Sequence, residues 1–123
     1  MRLSLVIAAV LATLLAAAHS YLGERYLLVR LFRRDDLPKI LGGVEFTRRT
    51  LRFAWHLTSV AWLSLAAIIV KLNSHTPSRP ELGLLIVGTF AVSGMVALVG
   101  SRGRHLSWAV FFTIALLTWL GTR

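Results

Sequence analysis

The sequence predicts an all-α integral membrane protein: an antiparallel four-helix transmembrane bundle with a short cytoplasmic amphipathic segment. Three observations predict it. Of 123 residues, 56% are apolar and only 15% charged, where a soluble domain carries about 25% charged residues. The mean hydropathy is +0.70. The apolar residues collect in four long blocks between charged stretches, and no block alternates with period two as the strands of a membrane barrel would. A soluble enzyme and a disordered tail are excluded on these grounds. With no cysteine, so are a disulfide scaffold and a thiolate metal site. Residues 1–123 read as one membrane domain.

The first span is expected over about 3–22, which holds no charge and at 1.5 Å per residue covers about 30 Å of hydrocarbon. A signal peptide is the rival reading, with Ala16-Ala17-Ala18 as its cleavage site. The length of the run and the denser basic residues after it favour a span with its N-terminus outward. Ala9, Ala12, Ala16, His19 and Gly23 form a stripe of small residues that is expected to face the bundle.

Residues 23–52 form a basic loop. In it Tyr26, Leu27, Leu28, Val29, Leu31 and Phe32 interleave with arginines, as in an extension of the first helix or an amphipathic helix on the membrane surface. Asp35-Asp36-Leu37-Pro38 predicts a new short helix, and Gly42-Gly43 its end. Glu45, three and four residues before Arg48 and Arg49, predicts that the second helix starts ahead of the lipid. The second span is expected over 53–70, the third over 82–100 and the fourth over 106–121. The last is short but bracketed by Trp108 and Trp119 as interfacial anchors.

Net charge is +9, and the distribution of that charge sets the expected orientation. Eight of 14 Lys and Arg lie at Arg25, Arg30, Arg33, Arg34, Lys39, Arg48, Arg49 and Arg52, with Arg102 and Arg104 in a later loop on the same side. Only Arg2, Lys71, Arg79 and Arg123 fall on the other. The positive-inside rule then places the richer side in the cytoplasm of a bacterial inner membrane and both termini outside, in the periplasm. Charge at the flanks of apolar blocks points to anionic lipid head groups as partners, not to nucleic acid.

Ionisable groups inside or beside spans suggest function. His19, His56 and His105 fall about 9 to 12 Å from their spans' midpoints, all toward the basic side. Three imidazoles suit zinc, iron or copper, and a pair could clamp a haem axially. Glu24 is the candidate fourth ligand or outer-shell acceptor. Two other readings stand beside a metal or haem site: a protonatable cluster without metal, and interfacial histidines with structural hydrogen bonds. His75 is expected in solvent.

No nucleotide-binding or hydrolase motif occurs, so no catalytic residue is assigned. No carboxylate lies deep in a span, which counts against a proton-coupled exporter. The alternatives to a metal or haem protein are two. One is a small structural or accessory subunit, as a homo-oligomer or within a membrane complex. The other is an oligomeric transporter or channel with Thr89, Ser93, Thr113 and Thr118 along its lumen.

Overall fold

A computed structural model describes residues 2–123. Four long helices follow one another: α1 (Leu3–Leu31), α2 (Val44–Ser74), α3 (Arg79–Ser101) and α4 (Ser107–Thr122). Among the described residues there is no strand, only an isolated bridge between Ile40 and Gly43. The first three helices are long and apolar enough to cross a membrane. At 16 residues α4 covers about 24 Å, short of a full hydrocarbon core.

The helices stand in an open row. Among the described residues α1 packs on α2, α2 on α3 and α3 on α4, and no other pair of long helices is in contact. Short connections make the α2–α3 and α3–α4 neighbours antiparallel. All the arginine-rich connections therefore lie at one end. At the other, the Arg2 backbone amide donates to Asn73 Oδ1 at 2.7 Å, and Arg79 donates to the Gly121 carbonyl at 2.8 Å.

Size sorts the interior. Through the middle of the row the buried residues are small: Ala9, Ala16, Ala66, Ser93, Gly94, Ala97 and Ala115. Large apolar side chains such as Leu11, Leu14, Val92 and Leu116 are exposed. A soluble protein does not place them so, whereas membrane helices approach through small residues and present large ones to lipid. The bulky buried side chains Leu28, Leu37, Phe46 and Phe53 gather at the arginine-rich end instead.

Of the two readings of the basic loop, the helical extension holds. The first helix runs on to Leu31, but its segment Gly23–Leu28 is a π-helix. The buried positions of α1 record the change: Ala9, Ala16 and Gly23 are seven apart, and the next, Leu28, is five further on. A side chain of α2 meets this step. Trp55 donates its indole N–H to the His19 carbonyl at 3.0 Å, the carbonyl that the Gly23 amide also approaches. Gly23 is required there, because a Cβ at that position would overlap the Trp55 indole.

The short helix expected after Asp35 is absent. Residues 35–39 are irregular, and Ile40–Gly43 is a tight turn with Leu41 (φ 46°) and Gly42 (φ 92°) left-handed. So few residues cannot sustain the costly helical nucleus. The Pro38 carbonyl is also already taken, by Thr47 Oγ1 at 2.6 Å. The turn delivers the chain straight into α2, which begins before its apolar block as expected. The start of α3 carries a full capping box, Ser78 with Glu81. Its end closes through left-handed Arg102 and Gly103, whose amides bond the Val99 and Leu98 carbonyls.

Candidate functional site

Glu24, on the π-helical segment, meets Arg52 and His56 of α2, which share one helical face with Ser59 at spacings of four and three. Ser20, four residues before Glu24, completes a polar chain across the α1–α2 contact. Ser20 Oγ lies 2.7 Å from Ser59 Oγ and 2.9 Å from His56 Nδ1. On the other side of the ring, His56 Nε2 is 3.4 Å from Glu24 Oε2, and Arg52 holds Glu24 Oε1 at 3.1 Å. The order is Ser59, Ser20, His56, Glu24, Arg52, with Ser59 buried and the charged end half-exposed.

The donors of this chain can run in two directions. A hydroxyl has one proton to give. If Ser20 gives it to His56 Nδ1, the ring's proton sits on Nε2 and is donated to Glu24. If Ser20 gives it to Ser59, Nδ1 carries a proton and donates to Ser20. A second proton on Nε2 is then needed to keep the bond to a carboxylate. Proton gain or loss at Glu24 or at the ring therefore rewrites the hydrogen bonds on both helices.

The other two histidines are elsewhere. His19 stacks on Trp55, with ring centroids 4.2 Å apart and planes 4° from parallel, and meets the edge of Trp62 at 4.9 Å. Its Nε2 is buried without a hydrogen-bond partner. His105 precedes α4 and packs against Phe53 and Phe46, with centroids 5.2 and 5.8 Å away. Its Nδ1 accepts from the Ser107 amide at 3.3 Å and lies 2.9 Å from Ser107 Oγ. A backbone N–H only donates, so the neutral ring carries its proton on Nε2. His105 is thus a helix-capping and packing residue. His75 is exposed, as expected, with Nε2 3.3 Å from Glu81 Oε1.

Of the four residues expected to hold a metal, the structure brings together His56 and Glu24. His19 lies in an aromatic stack and His105 packs on Phe53 and Phe46. Among the described residues no group of three or more His, Asp or Glu side chains is arranged to hold a metal ion. Sequence reasoning missed Ser20, Ser59 and Arg52. The signal was available in their spacing, since Ser20–Glu24 and Arg52–His56–Ser59 each lie on one helical face.

No protein-family model matches the chain, and neither does any curated protein or solved structure.

Proposed function

We propose that the chain is a proton-responsive membrane protein whose working element is the α1–α2 contact. It crosses a bacterial inner membrane four times, with the arginine-rich end in the cytoplasm and both termini outside. One observation carries the reading: the continuous polar chain Ser59–Ser20–His56–Glu24–Arg52, with spacings of 2.7 to 3.4 Å, joining two crossings at their cytoplasmic ends. Ionisable groups among membrane helices mark function by default, and π-helical steps recur at functional sites. The groups facing Glu24 are Arg52 and His56 of α2. Protonating Glu24 removes the charge that both hold, and the ends of α1 and α2 then separate.

A metal at this place has two donors, His56 and Glu24, and would take the rest of its ligands from outside the described side chains. The proton reading needs no further group.

The chain has no cysteine, so spin labels enter cleanly at exposed positions on the two helices, as in Tyr26→Cys with Leu51→Cys. The distance between them is expected to lengthen between pH 8 and pH 3, a range that brackets the unperturbed carboxylate value. In Glu24→Gln it is expected to stay at its low-pH value throughout. An unchanged distance in the parent protein over that window overturns the proposal.

The open row favours a second reading, a structural or accessory subunit whose free α1 and α4 edges pack on another copy or on a larger complex. It expects the triple replacement of His19, His56 and His105 by Ala to leave assembly intact.

A further inference from the structure

Beside the polar chain, on the face of α2 turned toward α3, lies a groove of about 610 Å³. That is within the range of small-molecule sites. The sequence builds it from two kinds of residue. Phe53 of α2 and Met95, Val96 and Val99 of α3 form an apolar wall. Arg49 and Arg52 of α2, with Arg102 after α3, form its mouth. A second cavity of about 440 Å³, lined by Glu45, Arg49, Arg102 and Arg104, continues the mouth outward. The floor is fixed by close contact of the two helices, since a Cβ on Gly100 would come within 2.7 Å of Phe53 Cβ.

The charges at the mouth do not balance internally. Four arginines face one carboxylate, Glu45, which is taken by Arg49 at 2.8 Å. Arg52 is held by Glu24. Arg102 and Arg104 make no ion pair among the described residues. They sit where α3 ends, so its terminal carbonyls offset part of their charge but not two whole charges. Val99 and Met95 are exposed at 68% and 53%, so the wall opens sideways, where a bilayer would be.

We propose that this groove binds one anionic glycerophospholipid of the cytoplasmic leaflet. Its phosphate sits between Arg102 and Arg104, and one acyl chain lies along Met95, Val96 and Val99. A cationic mouth directly above an apolar, laterally open wall matches an amphiphile with its charge at one end. A soluble anion would leave the wall unused. Arg52 and His56 also line the groove, so an occupied site touches the α1–α2 chain, although lipid binding does not depend on the proton response.

The test uses native mass spectrometry of the full chain, released from mixed micelles of phosphatidylglycerol and phosphatidylcholine. One retained phosphatidylglycerol is expected, and Arg102→Gln with Arg104→Gln is expected to weaken retention by roughly thirtyfold. Val99→Trp, at an exposed position, fills the wall without touching the charges and is expected to abolish retention. It also carries the test should the arginine variant fail to fold. A control that removes the same charge elsewhere, Arg33→Gln with Arg34→Gln, is expected to keep the lipid. Equal loss in that control, equal retention of phosphatidylcholine, or unaltered retention in Val99→Trp overturns the assignment. Complete displacement by millimolar inorganic phosphate does so too, because it would make the site a phosphate site with no use for the chain.

Discussion

The α1–α2 and α3–α4 contacts join neighbouring helices of one protein by opposite means. Between α3 and α4 the helices approach through missing side chains. Gly83 lies against Thr122 and Gly94 against the ring of Phe112, and a Cβ at Gly94 would sit about 3.0 Å from that ring. Among the described residues the one polar link between them, Arg79 to the Gly121 carbonyl, is at the end away from the arginine-rich connections. Between α1 and α2 small residues, Ala9 and Ala16, serve one half of the contact, and the half near Gly23 is aromatic and polar. Trp55 inserts beside Gly23, His19 stacks on that indole, and the Ser20–His56–Glu24 chain follows one turn on. Shape alone can hold the first pair, whereas the second adds hydrogen bonds and an ion pair. A contact of the first kind responds to volume, and one of the second also responds to charge.

Volume changes should separate glycines by what lies opposite them. Gly23→Leu forces the Trp55 indole out of its place against α1 and is expected to cost about 1–3 kcal/mol or more in a reversible unfolding assay. Gly94→Ala has to push back only a ring, and about 1 kcal/mol is expected. Gly88→Ala meets nothing within 4 Å, so it should leave stability unchanged or raise it by up to about 1 kcal/mol through helix propensity. A cost at Gly88 matching that at Gly23 would erase the distinction drawn here.

Charge changes should act on the α1–α2 pair alone. Glu24→Gln is expected to remove the pH dependence of the α1–α2 distance and leave the α3–α4 distance unaltered at every pH, as spin-label pairs on each would show. The smallest effect belongs to the connector, where Arg34 donates two hydrogen bonds to Asp36. These hold the Asp36 carboxyl below its ordinary range. A carboxyl lowered on folding contributes stability above its unfolded-state value, and that stability is lost as pH falls through the folded one. Both side chains are exposed, so Asp36→Asn is expected to leave the melting temperature at pH 7 unresolved from the parent's.

Much of this was legible in the sequence, and what was not has physical causes. Apolar runs gave the helices because length and hydropathy are local properties. The stripe of Ala9, Ala16 and Gly23 gave the buried face of α1 because its period is the helix's own. The direction of a side chain around the helix was not legible. His19 and Ser20 are adjacent in sequence, yet one enters an aromatic stack and the other the polar chain, since about 100° of rotation separates them. Equal depth for three histidines therefore carried no promise of a shared point. The π-helical step was invisible in the local sequence, and the tryptophan that packs against it belongs to another helix. The helix expected after Asp35 failed for a related reason: capping residues mark a start but cannot supply the length that follows.

The central claim is that His56 spans two helices, bonded through Nδ1 to Ser20 and through Nε2 to Glu24. Nitrogen-15 resonances of the His56 ring in lipid nanodiscs test it most directly. Glu24→Gln should displace the Nε2 resonance and Ser20→Ala the Nδ1 resonance, each leaving the other nitrogen nearly in place. A ring whose two nitrogens ignore both replacements, as an imidazole bathed in water would, contradicts the account.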